Sequence, residues 1–258
     1  MDTQARDNTL TIAAIGLLAY ASADIAHHAL GHGAACLGLG GRIISLSSIF
    51  VNCSLRGATI DLAGPCANLV LGVVALLGAR SASRASSTTR VFCILAAAFN
   101  LLWFSLQLAF SAATRTDDWA WPMHEFHVTE PVRYGMIATG ALAYLLTIRS
   151  IAAQMAPLAN PPARARTIVF TAWLTAGALA CATAAFDHHA VAAILRHAAP
   201  QSFVLSLGLL FVPARATASR SAGEAAATIA LSVPWVVAAA IVATASILLL
   251  GPGIAIAI

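Results

Sequence analysis

The chain has 258 residues, of which 60% are hydrophobic and only 9% charged, and its mean hydropathy is +0.84. Soluble domains carry about 25% charged residues, so this composition excludes a soluble enzyme and fits a polytopic membrane protein. The net charge of +4 is carried entirely by arginine, with no lysine in the chain; arginines gathered in short loops mark cytoplasmic loops, so no nucleic-acid partner is expected.

A membrane helix needs about 20 mostly apolar residues. That criterion predicts spans at 9–38, 60–79, 91–113, 132–155, 167–186, a short one near 199–213, and 225–250. The opening "LTIAAIGLLAYASAD" has the look of a signal peptide with small residues at Ala21–Ser22–Ala23. Its apolar run continues past Asp24 to Leu39, however, which predicts an uncleaved first span. After it, "RIISLSSIFVNCSLRGATI" is β-branched and alternating, and predicts a short hairpin over 42–56. Such a hairpin offers an edge to which an extended peptide can add as a strand. Further on, "HHAVAAILRHAA" at 188–199 predicts a short amphipathic helix lying on the membrane surface. The five cysteines contain no C-x-x-C pair, which predicts neither a thiolate zinc site nor a disulfide framework.

The expected fold is therefore an all-α polytopic membrane protein, a bundle of six or seven transmembrane helices with a short β-hairpin between spans one and two. It forms a single membrane domain over 1–258, with a core at 9–120 and additional helices at 132–258. Loop charge orients it. Arg80, Arg84 and Arg90 follow span two, Arg149, Arg164 and Arg166 follow span four, and Arg215 and Arg220 follow span six. The loop after span three instead holds Asp117, Asp118, Glu125 and Glu130 against Arg115 and Arg133. This predicts a cytoplasmic N-terminus in a membrane of the bacterial inner-membrane kind, with Arg42 and Arg56 running against the trend. All eight histidines then fall toward the outer face.

Three of them lie in "ADIAHHALGHGAACLGLGG", residues 23–41. Ionisable groups inside a span are costly and functional by default. His28 and His32, four apart, share a helix face and can grip one metal ion. Asp24 lies one turn earlier, where a carboxylate can orient a ligating histidine through its second ring nitrogen. Span two then opens with "IDLAGPCANLVLG", in which Gly64–Pro65 kinks the helix and Asn68 presents an amide inside the membrane.

Together, "HHALGHG" and, some thirty residues later, "AGPCANLVLG" resemble the site-2-protease-like intramembrane zinc metallopeptidases over residues 23–75. The likeness continues loosely through "FNLLWFSLQLAFSAATRTDDWA", residues 99–120. The resemblance implies a first helix bearing H-E-x-x-H, a second bearing A-G-P-x-x-N, and an Asp on a later segment as third zinc ligand. It implies His28, His32 and Asp118 as ligands, with Asp117 as the alternative Asp, and Asn68 as a polar helper near the substrate.

The chain departs from that pattern where the family's catalytic Glu should follow the first His. Taking His28 as first ligand puts Ala29 there. Taking His27 instead puts His28 there, as base or extra ligand, but leaves His27 and His32 five apart. That is about 140° around an ideal helix, and the pair then needs a π-bulge to converge.

Two further groups, His124 and His127 in "MHEFH" and His188 and His189 in "FDHHA", read as solvated loop residues. Folded over the first cluster, they would instead suit iron or copper in a histidine-rich oxidase or hydroxylase acting on a lipid-soluble substrate. The leading expectation is a zinc-dependent hydrolase acting on a membrane-embedded peptide from within the lipid bilayer. A non-catalytic relative that binds membrane segments is the third reading.

Overall fold

The computed structural model describes residues 7–82, 86–160, 162–218 and 227–255. Among them, seven helices are long and apolar enough to cross a membrane: Thr9–Gly38, Ala58–Ser81, Ser87–Thr114, Glu130–Leu158, Ala163–Ala184, Ala190–Ala216 and Val233–Leu250. They are called spans one to seven below. Span three is the most enclosed and forms the axis of the bundle, burying Ile94, Leu95, Phe99, Leu102 and Trp103 against spans one, two and four. Span five packs on the other side of span one, and span seven covers span one from outside. In lipid such packing rests on close van der Waals fit rather than on expulsion of water, which accounts for the many alanines in the core.

Two elements depart from expectation. Span six is not short: it begins at Ala190 and runs to Ala216, so "AVAAILRHAA" is its first part rather than a surface helix. Arg196, His197 and Pro200 give that stretch the look of a surface helix, yet the span passes them by winding as π turns over Ile194–Ala198 and Pro200–Val204. Span seven starts at Val233, later than predicted, with residues 227–232 non-helical.

The predicted hairpin is present as β1 (Ile43–Leu46) and β2 (Val51–Cys53), paired antiparallel. A third strand, β3 (Ile254–Ala255), pairs with the other side of β1, so the order is β2-β1-β3. Because β3 follows span seven and β1 follows span one, the far ends of these helices share a membrane face, as an odd number of crossings requires. On the opposite face, Arg164 at the start of span five grips Asp7 through Nε at 2.7 Å and Nη2 at 3.0 Å. The same guanidinium donates to the carbonyl of Ala227 at 2.7 Å, while Asp7 Oδ1 accepts the amide of Ile229. This buried, bidentate pair ties the N-terminus to the segment before span seven. Among the described residues, Arg80, Arg90, Arg149, Arg166 and Arg215 lie at span ends on this face, Arg84 and Arg220 falling outside the described residues, and the hairpin, the loop after span three and the loop after span five lie on the other.

The expectation of no disulfide is overturned. Cys36, at the end of span one, bonds Cys53 of β2. Cysteine spacing gave no hint of it because the two belong to different elements, and only the hairpin's return over the helix end brings their Cα atoms to 5.9 Å. Cys66, Cys93 and Cys181 are free. Alkylation of the denatured protein, read by intact mass, is expected to add three adducts before reduction and five after; five before reduction would show that Cys36 and Cys53 are unpaired.

Candidate metal centre

The site begins with the winding of span one. The helix is α-helical through Ile25 and then π-helical over Ala26–Gly33, before a last α turn at Ala34–Gly38. A π turn closes i→i+5 hydrogen bonds, so residues five apart lie one above the other. His27 and His32 therefore meet: their Nε2 atoms are 3.1 Å apart, and both side chains are buried.

What holds this turn is a contact with span two. A Cβ on Gly31 would fall 2.5 Å from the Cα of Gly64 and 2.7 Å from the carbonyl oxygen of Ala63. A Cβ on Gly64 would fall 2.4 Å from Nε2 of His32. The two helices touch backbone to backbone, and the ring of His32 occupies the space that any side chain at position 64 would take. His32 Nδ1 lies 2.8 Å from the carbonyl oxygen of Ile60. Donation of its N–H there fixes the tautomer and turns the lone pair of Nε2 toward His27.

His27 is positioned from two sides. Its ring stacks on Trp103 of span three, with centroids 4.8 Å apart and planes 19° from parallel. Its Nδ1 is 3.3 Å from the amide nitrogen of Asn68, whose Oδ1 is left without a partner. The O and N of an amide side chain are assigned from hydrogen bonding, not seen. Turning this amide over gives the orphan oxygen a donor in His27 Nδ1–H, and that tautomer leaves Nε2 free to ligate.

The third group comes from the loop after span three. Arg115 and Asp117 adopt left-handed backbone angles, with φ of 59° and 66°; Asp tolerates that region better than most residues. The two turns fold the chain back over the helix end, and Asp118 Oδ2 reaches His27 Nε2 at 2.8 Å and His32 Nε2 at 3.4 Å. Gln107, buried in span three, donates from Nε2 to Asp118 Oδ2 at 2.8 Å and to Asp117 Oδ2 at 3.1 Å. Burial alone would raise the Asp118 carboxyl, but the two imidazoles outweigh it and hold it well below the usual carboxylate range. Glu125 anchors the following helix by accepting the amide of Ala58 at 2.8 Å and the indole N–H of Trp121 at 2.9 Å.

The residues singled out from sequence thus divide. His27, His32 and Asp118 form the one group among the described residues able to hold a metal ion. His28 is not brought into it, because the π turn rotates His27 rather than His28 over His32. Its Nδ1 bonds the carbonyl oxygen of Asp24 at 3.2 Å. Asp24 Oδ1 is equally near but out of line, and it lacks a hydrogen bond. Asp24 therefore orients neither ligand. His124, His127, His188 and His189 are exposed and join no metal-binding group among the described residues, and Asp117 stays outside the trio, linked to it through Gln107 and the backbone of Asp118. Sequence reasoning passed over Gln107 and Asp61. The signal for Gln107 was an amide in the middle of "WFSLQLAF"; for Asp61, it was a carboxylate one turn before Gly64.

The donor set suits a metal. Zinc takes His nitrogen and carboxylate oxygen at about 2.0–2.2 Å in a tetrahedron, whose edges are then about 3.3 Å. The three ligand atoms stand 2.8, 3.1 and 3.4 Å apart, and a tetrahedron with three protein ligands keeps a fourth position open. No family model, curated protein or solved structure matches the chain.

Substituting Gly64 by Ala is expected to displace the His32 ring and abolish metal binding while the bundle still folds. Asn68→Ala is expected to weaken metal affinity about 10- to 100-fold, the usual cost of losing a group that orients a ligand. Metal titration of both variants, beside circular dichroism, checks the pair.

Proposed function

We propose that this protein is a zinc-dependent hydrolase of the membrane interior, related in plan to the site-2-protease-like metallopeptidases. The observation that carries the reading is the convergence of His27, His32 and Asp118 at zinc-like spacing inside a membrane bundle, with two of the three groups set for ligation by hydrogen bonds to span two. When bound, such an ion polarises a carbonyl or a water at its open position.

Hydrolysis also needs a proton acceptor, and the family's Glu is absent. Asp61 supplies the missing carboxylate. It lies on the same face of span two as Gly64 and Asn68, three and seven residues on, and one helical turn is about 5.4 Å. It is half-buried and within electrostatic reach of both His32 and Asp118. In this scheme the Asp61 carboxylate takes the proton released by the attacking water and returns it to the departing amine. Asn68 holds His27 in its ligating tautomer, and Trp103 closes the floor beneath that ring.

The substrate is an extended, membrane-embedded peptide. Strand addition to β1 is closed, because β2 and β3 occupy its two sides; a peptide would pair with an outer edge of β2 or β3. We place the histidine face outside the cytoplasm, for two reasons. Disulfides persist in oxidising compartments, and Cys36–Cys53 is on this face; the arginine-rich loops are on the other. The oxidase alternative needs His124, His127, His188 or His189 near the trio, and the geometry does not favour it.

The test is cleavage of a quenched fluorescent transmembrane peptide in liposomes, read beside zinc content. Wild type is expected to hold about one zinc per chain and to cleave. Asp61→Asn should keep the zinc and lose cleavage by about 100-fold or more. Zinc without cleavage in wild type would instead identify a non-catalytic binder of membrane segments.

A further inference from the structure

A second polar site lies beside the metal centre and shares none of its ligands. It is a small cavity lined by Tyr20 and Asp24 of span one, Ser48 of the hairpin turn, Thr183 of span five, Ala198 of span six and Ser246 of span seven. It has room for about one water molecule or one ion of similar size.

Two of its walls carry buried polar atoms that make no hydrogen bond. Asp24 is only 6% exposed, and its Oδ1 has no hydrogen-bond partner. Thr183 is 1% exposed, and its Oγ1 is likewise unpartnered. Native proteins rarely leave such atoms orphaned, and each exception calls for a bound water or ion. A carboxylate in a membrane bundle also calls for a countercharge. None of the residues lining the cavity is Arg or His. The nearest imidazole, His28, brings its Nδ1 to 3.2 Å from Asp24 Oδ1 but bonds the backbone carbonyl of Asp24 instead, which leaves the carboxylate oxygen open toward the cavity.

The winding of the surrounding helices is consistent with a purpose-built site. Asp24 sits just before the π segment Ala26–Gly33, Ala198 ends the π segment Ile194–Ala198, and Ser246 begins the π segment Ser246–Leu250. Wide turns of this kind cluster at functional sites. Here three of them border one cavity.

We propose that this cavity binds a sodium ion, with the Asp24 carboxylate as the charged ligand and the Thr183 hydroxyl as a neutral one. Oxygen donors select hard cations. One carboxylate balances a single positive charge, and an anionic oxygen, a donor of high field strength, holds the smaller sodium ion more tightly than potassium. Coordinated sodium in membrane proteins is found near helix irregularities of this sort. The site couples spans one, five, six and seven and stabilises the bundle independently of the metal centre.

The experiment is thermal unfolding of the detergent-purified protein in choline chloride, with sodium or potassium chloride exchanged in at constant ionic strength. A ligand that binds only the folded state raises the melting temperature in a saturable way. Sodium is expected to raise it by a few degrees, and potassium by much less. Asp24→Asn should abolish the sodium response while leaving zinc content unchanged. Thr183→Val, which keeps the side chain's shape, should raise the half-saturating sodium concentration severalfold. Identical melting of wild type in sodium and choline would overturn the proposal and leave a single bound water in the cavity. So would an unaltered sodium response in either variant.

Discussion

In an ideal α-helix, residues 27 and 32 would point about 140° apart, and the meeting of the two histidines in the last turns of span one depends on the wide turn that removes this angle. The π segment Ala26–Gly33 is held by the contact of Gly31 with Gly64, where two backbones meet with no room for a side chain on either. From that contact follow the position of the His32 ring, its hydrogen bond to Ile60, and the meeting of its Nε2 with that of His27. Span two is thus more than a neighbour. Its Ile60 carbonyl, Gly64 surface and Asn68 amide all address the two histidines, and its Asp61 faces the same way.

The remaining parts of the bundle serve that junction. Span three supplies a rigid floor in Trp103 and, through Gln107, a grip on the loop that delivers Asp118. Glu125 pins the same loop to the first turn of span two, so Asp118 is referenced to both helices. The disulfide from Cys36 to Cys53 fastens the last turn of span one to the hairpin. Closing a loop of 17 residues contributes about 3 kcal/mol in chain-entropy terms. It lies one turn beyond His32.

How far the sequence was readable depended on the range of the interaction. Spans one to five were legible because a run of some twenty apolar residues is a local property. Span six was misread because Arg196, His197 and Pro200 interrupt that run, while the helix absorbs them by changing its winding. Asp118 was legible as a candidate from its place in "SAATRTDDWA", after "FNLLWFSLQLAF". The choice between His27 and His28 was not, since ligand spacing alone does not specify helix pitch; pitch is set by a glycine contact with another span. Asp61 escaped notice for the same reason. A carboxylate in the first turn of a helix is ordinary, and only the fold shows it on the face of span two that meets the histidines. The pairing of Cys36 with Cys53 was equally invisible until the hairpin's return was known.

The central claim is that the metal is gripped by a pair five residues apart, not four. The most direct measurement is metal content by mass spectrometry in His27→Ala and His28→Ala, purified side by side with the wild type. The account predicts that His27→Ala loses the metal and His28→Ala keeps it. Retention in His27→Ala with loss in His28→Ala would contradict it, placing the ligands on an ordinary α-helical face and removing the π turn from the site.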